Sequence, residues 1–440
     1  MKPKQIRIFC ILLLLASLFS FNVLSGQTSP AEISRTPEKS GGVYYAYPGE
    51  EIKPQAPAPK GYHPFYISHL GRHGSRYLVS DRQYKGVLDI FAEGYKANAL
   101  TPLGEDVYKR LCRVWQEAEG KGSALSPLGV RQQGEIAGRM YGDFPGVFSG
   151  DARISARSTT AVRCVLSMAA FSMKLKELNP ALQIEMESCD KYMRYLDHYS
   201  PGSNAFKAAG EWREQYRKFE ESHVKPGRLV ASLFSDSGFI LKKVNPKSIM
   251  WALFTIAGNM QNMETDVSLF GLFEGQELFD LWQCGNYSNY VSSANSALNK
   301  GVNFSNAKPL LENILESAES CISSGGNGAT LRFAHDGNLI PLTLLLHLEG
   351  CYESVSDPAD FYKVWSNFRV SPMAANIQVV FFRREGSKGP DDILVKFLLN
   401  EKETLVPPVA SDILPYYRWK DIKAFYSTLL DDGKKPTQDE

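Results

Sequence analysis

The hydrophobic and polar positions change period twice along the chain. Tyr62 to Leu70 alternates, with Phe65 and Ile67 in step, and reads as a strand running straight into Gly71-Arg72-His73-Gly74. Ser126-Pro127 has the form of a helix N-cap followed by proline in the first turn. The apolar spacing carries that helix to about Tyr141, with Ile136, Met140 and Tyr141 inward. Arg153 to Ala156 is a short strand, after which Val162, Val165, Leu166, Ala169 and Met173 recur at helical spacing. From about 174 to 324 alternation is scarce and helical patterns dominate, as in Ala205 to Glu221 and Lys247 to Asn262. Alternation returns at Ala329 to Ala334, Ile377 to Phe382 and Ile393 to Leu399. This order predicts an α/β sheet domain, residues 61–173 and 325–440, interrupted by a mostly helical domain at 174–324.

The first residues stand apart. Lys2, Lys4 and Arg7 precede an apolar stretch from Ile8 to Phe21, and small residues Ser25 and Gly26 follow. That is the anatomy of a secretory signal peptide over residues 1–26, and it is short for a spanning helix. The expectation is an exported protein, periplasmic or secreted, with no stable membrane association once the segment is cut. Residues 27–60, rich in Pro, Ser, Gly and Glu, read as a loose leader. Six cysteines lie beyond the signal, an even number that export would allow to form bridges; buried free thiols fit the sequence equally well. No CxxC pair is present to suggest structural zinc.

Composition narrows the function. The 440 residues are 43% hydrophobic and 22% charged, as in a globular protein with a sizeable core. A net charge of +1, from 49 Lys+Arg against 48 Asp+Glu, offers no global field for nucleic acid, so a charged ligand must be met by a local cluster. Nucleotide cradles of the GxxxxGK[ST] and GxGxxG types are absent, as are HExxH and GxSxG. His69 and His73 are four apart, but Gly71 and Gly74 break any helix that would pair them on a metal. Asn286-Tyr-Ser and Asn303-Phe-Ser are glycosylation sequons, of meaning only in a eukaryotic host.

One constellation carries chemistry. In Arg72-His73-Gly74-Ser75-Arg76 two guanidiniums bracket an imidazole at the end of a strand. Arginine grips phosphate oxygens bidentately, and flanking positive charge disfavours the imidazolium, leaving a nucleophile. Phe333-Ala334-His335-Asp336 also ends a strand and precedes a helix. Ligands of open α/β sheets sit at such carboxyl ends. His335 could hold phosphate, and Asp336, kept protonated by a nearby phosphate dianion, could protonate a leaving oxygen.

Together these stretches resemble the histidine acid phosphatase family, on its second branch, which includes the phytases. Arg163 in Arg163-Cys-Val-Leu-Ser-Met-Ala-Ala-Phe171 matches the family's further phosphate-binding arginine, and Leu125-Ser-Pro-Leu-Gly129 with Gln132 matches a family helix start. Met193-Arg-Tyr-Leu-Asp197-His198, Leu281-Trp282 with Gly285, and Ala374-Ala-Asn376 are similar to multiple inositol polyphosphate phosphatases. The resemblance, spanning about 60 to 400, implies a phosphoglycerate-mutase-like sheet domain and a phosphomonoesterase needing no cofactor or metal. It implies His73 as nucleophile, Asp336 as proton donor, and Arg72, Arg76, Arg163 and His335 as phosphate ligands. Two departures stand out. The family proline two residues after the loop's second arginine is replaced by Leu78, and Asp336 directly follows His335, where the inositol polyphosphate branch places its acid one residue later.

An inositol polyphosphate such as phytate needs cations beyond that cluster. Lys191, Arg194 and Arg213 are candidates, as are Arg217, Lys218, Lys242 and Lys243. Solvated helix faces are the alternative for each. A general acid phosphatase acting on small phosphomonoesters, a non-catalytic binder of phosphorylated ligands and a phosphomutase are the competing functions.

Overall fold

The computed structural model describes residues 28–197, 201–208, 210–387 and 392–431. The expected signal segment and His198 lie outside them. Among the described residues eight strands form one sheet: β1 (Tyr62–Arg72), β2 (Arg153–Ser158), β3 (Gln183–Glu187), β4 (Gly328–Ala334), β5 (Asn376–Arg384), β6 (Ile393–Leu399), β7 (Lys402–Thr404) and β8 (Tyr416–Arg418). Their order is β3-β2-β4-β1-β5-β6-β7, with β8 beside β6. β1 to β4 are mutually parallel, and β5 begins the antiparallel half. β1 is buried continuously from Phe65 to Arg72, as a central strand covered on both faces must be.

Helices Pro127–Asp143 and Val162–Leu178 cover one face, packing Ile136, Met140, Phe171 and Leu175 on Ile67, Ile154, Leu331 and Val380. Helices Val302–Ser324, Asp336–Leu345 and Trp419–Asp431 cover the other, through Leu310, Ile314, Leu339 and Tyr426 against Val379, Phe381 and Phe397. A second, helical core joins Phe91, Leu111, Leu233, Leu253, Phe254, Leu281 and Trp282. Thus helices Arg82–Lys96 and Pro102–Ala118, grouped by sequence with the first sheet segment, pack in the helical core, while Val302–Ser324 packs on the sheet.

The sequence expectations meet several differences. β3 is a strand inside the stretch read as helical; it pairs with β2 at the sheet edge, where half-exposed side chains leave little periodic signal. The pattern from Ala205 to Glu221 is two helices, Pro201–Ala208 and Glu211–His223. On Val162–Leu178 the apolar Val162 and Met173 face solvent at 72% and 69% exposure, and Cys164, Ser167 and Phe171 turn inward. The leader is not loose. It forms a helix at Pro30–Arg35 and a 3-10 stretch at Pro37–Tyr44, with Ile33, Ser40 and Tyr47 buried. Its Tyr47 hydroxyl donates to Glu401, whose carboxylate Arg139 holds through Nε at 3.0 Å and Nη2 at 2.9 Å. Proline and serine there cap and start helices rather than loosen the chain. Both sequon asparagines are buried, and the Asn286 amide donates to the Trp365 carbonyl, so neither can carry a glycan. All six cysteines of the described residues are free thiols.

His69 lies within β1, 1% exposed, between the rings of Phe171 and Phe333. Burial, and then the charge of Arg332, pull its pKa down to about 3. The unfolded chain therefore takes up a proton near pH 6.5 that the folded chain refuses until about pH 3, and stability falls as pH drops through that window. For this residue the loss between pH 7 and pH 4 is about 3 kcal/mol. Urea unfolding at the two pH values should show His69→Gln losing less stability than the parent by about that amount. An equal loss in both proteins would contradict the assignment.

Candidate active site

Three loops meet at the carboxyl ends of the parallel strands. Arg72 is level with Ala334 across β1 and β4, and Ser158 with Phe333 across β2 and β4. Residues 73–76, 335–336 and 159–163 therefore leave the sheet side by side, at the edge where such folds place ligands.

The first loop is fixed by its backbone. The Arg72 N–H donates to the Ala375 carbonyl, His73 N–H to the Ala334 carbonyl, and Ala374 N–H to the His73 carbonyl. Gly74 N–H donates to Ser167 Oγ, Ser75 N–H to Gln132 Oε1, and Ser75 Oγ to Asn262 Oδ1. Ser126 caps its own helix and donates to the Ser75 carbonyl. The glycines are required by approach: a Cβ on Gly74 would sit 2.3 Å from the Gly129 carbonyl oxygen, and one on Gly129 would sit 2.2 Å from that of Ser75. Thus Gln132, Gly129 and Ala374-Ala-Asn376, read in the sequence as motif pieces, hold the loop. Leu78, where the family pattern has proline, uses its N–H to donate to the Tyr84 hydroxyl at 2.8 Å, a bond proline could not make.

The imidazole of His73 is 2% exposed. Its Nδ1 is 2.9 Å from the Gly74 carbonyl oxygen, which can only accept, so Nδ1 carries the proton and Nε2 keeps its lone pair. Burial, then Arg72, Arg76 and His335, hold its pKa well below the ordinary 6.5. The site therefore favours a neutral imidazole with a defined free nitrogen.

Cations surround it. Arg72 is 1% exposed; its Nη1 donates to the carbonyls of Val43 and Ser371, and its Nη2 is 3.4 Å from Asp336 Oδ2. Arg76 lies 5.1 Å over the Tyr44 ring and bonds the Tyr77 carbonyl. The Nε–H groups of Arg72 and Arg76 are buried without a hydrogen-bond partner among the described residues, a costly state that an anion would relieve. Arg163, in the first turn of its helix, bonds Ser123 Oγ through Nη1 and approaches His335 Nδ1 at 3.4 Å through Nη2. His335 caps helix Asp336–Leu345; its Nε2 is 3.3 Å from Thr159 Oγ1 and its ring 5.6 Å from that of His73. All six residues that the sequence assigned to catalysis and phosphate binding thus converge. No three His, Cys, Asp or Glu among the described residues group to hold a metal ion.

The outer cations behave differently. Lys191 lies over the Tyr192 ring and Arg194 over that of Tyr195, both exposed. Arg213 donates to the Lys207 carbonyl, ending helix Pro201–Ala208. Arg217 and Lys218 pair with Glu214, and Lys243 with Glu93.

Several site residues escaped the sequence reading. Tyr44 supports Arg76 from the leader, and Asn262 ties the leader to the loop by donating to the Tyr44 carbonyl and accepting from Ser75 Oγ. Asn338 accepts from the His335 N–H and donates to the Leu196 carbonyl; its place three residues after a cap was the available signal.

No family model matches the chain. A multiple inositol polyphosphate phosphatase 1 of Gallus gallus is 22% identical over 396 residues, covering 83% of this chain and 82% of that protein. The multiple inositol polyphosphate phosphatase of Bifidobacterium longum, solved with inositol hexasulfate, superimposes with a TM-score of 0.70 at 18% identity, over 91% of this chain and 99% of that one. A phytase from D. castellii gives 0.67 at 14%, over 89% and 85%. The resemblance read from the motifs therefore extends over most of the chain. Its curated homologue is a multiple inositol polyphosphate phosphatase, and its fold is that of the histidine acid phosphatases.

Proposed function

We propose that this chain, a histidine acid phosphatase in fold and in loop chemistry, hydrolyses phosphomonoesters and takes inositol polyphosphates such as phytate as substrates. The observation that carries this reading is the His73 tautomer. A neutral imidazole with Nε2 free faces a ring of arginines, and a carboxylate stands at their rim. The chicken relative and the bifidobacterial neighbour, named for inositol polyphosphates, support the substrate class.

Phosphate enters among Arg72, Arg76, Arg163 and His335. His73 Nε2 attacks phosphorus, the bond to the ester oxygen breaks, and Asp336 gives that oxygen its proton. Water then attacks the phosphohistidine, the P–N bond breaks, and Asp336 takes the proton back. The fixed cations lower the barrier because they already point where charge accumulates. The sequence signal over residues 1–26 supports export as the setting. The lowered pKa of His73 favours the neutral, nucleophilic form of its imidazole.

The test is phosphate release from phytate and p-nitrophenyl phosphate from pH 3 to 8, with chelator present. Release from both, continuing below pH 5, is the expected result. Release from the small ester alone would move the substrate class to simple monoesters. Release from neither, in folded protein, would make the chain a binder of phosphorylated ligands.

A further inference from the structure

The segment packed against the catalytic loop holds a serine in a backbone conformation that favours glycine. Residues 123–126 run antiparallel to residues 75–78. Ser126 N–H donates to the Ser75 carbonyl, Tyr77 N–H to the Ala124 carbonyl, and Ser123 N–H to the Leu78 carbonyl at 2.7 Å. The turn before them is tied down by Asp81, whose carboxylate accepts from the N–H groups of Gly120 and Gly122 at 2.9 and 2.8 Å. Two residues of this stretch take a positive φ, Gly120 at 73° and Ser123 at 66°. Glycine adopts that geometry freely. An L-residue there brings its Cβ against the following carbonyl oxygen, a cost that folded proteins retain at functional sites.

The side chain accounts for the serine. Its Oγ accepts from Arg163 Nη1 at 3.0 Å, and the other terminal nitrogen, Nη2, approaches His335 Nδ1 at 3.4 Å. The guanidinium therefore stands between a segment fastened to residues 75–78 and the loop that carries Asp336. The backbone of Arg163 is fixed as well: its carbonyl accepts from Ser167 Oγ, which itself accepts from the Gly74 N–H. A guanidinium on a long side chain meets phosphate in one orientation only when an acceptor holds its plane. A hydroxyl does so and leaves the positive charge whole for a phosphate dianion, whereas a carboxylate in the same place would compete with that phosphate.

We propose that Ser123 is a positioning residue for the phosphatase reaction: its hydroxyl sets the plane of the Arg163 guanidinium against the transferred phosphate. The left-handed backbone at residue 123 aims that hydroxyl at Nη1. The inference rests on the phosphatase reading and on Arg163 as a phosphate ligand.

The test measures kcat/KM for p-nitrophenyl phosphate, with calorimetric binding of inorganic phosphate beside it, in Ser123→Gly, in Ser123→Ala, and in each combined with Arg163→Ala. Glycine is at ease at φ 66°, so Ser123→Gly removes the hydroxyl without adding backbone strain. Ser123→Ala keeps the Cβ and removes the hydroxyl alone. Each single variant is expected to lose about tenfold in kcat/KM and to bind inorganic phosphate more weakly by a similar factor. On the Arg163→Ala background the same substitutions are expected to change either value by less than about twofold, because the residue through which Ser123 acts is gone. An undiminished loss on that background overturns the proposal, since Ser123 would then act through another group. A Ser123→Ala variant that keeps the parent values overturns it too, since the hydroxyl would be dispensable. If Ser123→Ala fails to fold, Ser123→Gly carries the test. Unchanged values in Ser123→Gly, with the parent active, overturn the role of Ser123 alone. A folded parent without activity on p-nitrophenyl phosphate overturns the phosphatase reading, and the inference with it.

Discussion

Replacing His73 with alanine is expected to reduce kcat/KM for every phosphomonoester by at least about 10^4-fold, or about 5.5 kcal/mol of transition-state stabilisation. The imidazole keeps its Nε2 lone pair free within the arginine cluster, and its tautomer is fixed by the Gly74 carbonyl. Without it, water would have to attack phosphorus directly, and the remaining cations would stabilise charge but supply no nucleophile. The fold should survive. The loop is held by backbone bonds from Ala334, Ala375, Ser167 and Gln132, none of which uses the imidazole. Thermal unfolding of the variant near that of the parent, with phosphate still bound, would separate lost chemistry from lost structure. A variant keeping a tenth or more of the parent rate would remove His73 from the reaction.

The second large effect belongs to Asp336, and it depends on the leaving group. A ring alkoxide departs poorly without a proton, whereas p-nitrophenolate departs readily. Asp336→Asn should therefore lower kcat on phytate by about 10^2- to 10^4-fold, the usual range for a positioned acid, and lower kcat on p-nitrophenyl phosphate far less. The variant also removes the 3.4 Å contact with Arg72 Nη2, freeing that guanidinium for phosphate, so inorganic phosphate should inhibit it more strongly than the parent. Equal losses on both esters would mean that Asp336 serves to position Arg72 rather than to donate a proton.

How much of this was legible in the sequence follows from where the signal lies. Five of the six cluster residues were readable because they lie in two short stretches, Arg72–Arg76 and His335–Asp336, each at the end of a strand, whereas Arg163 was reached only through the family resemblance. Gly74 and Gly129 were legible as motif glycines, but their reason, two backbones at contact distance, exists only in three dimensions. The leader misled because Pro and Ser read as loose chain, although here they start and cap short helices that bring Val43 to Arg72 and Tyr44 to Arg76. β3 was hidden because an edge strand with half-exposed residues shows no clean alternation. On Val162–Leu178 the apolar spacing marked the helix but not its buried face, since Val162, Leu166 and Met173 face solvent and the inward side carries Cys164 and Ser167, the latter accepting from the Gly74 N–H.

The most direct test of the central claim is to catch the covalent intermediate. The enzyme is mixed with excess substrate, quenched within milliseconds in alkali, where a phosphoramidate survives, and digested for mass spectrometry. The account predicts a single phosphoryl group on the His73 imidazole, lost on acidification and absent from His73→Ala. Rapid turnover with no phosphoryl group on His73 at any quench time, or with one on another residue, would contradict it.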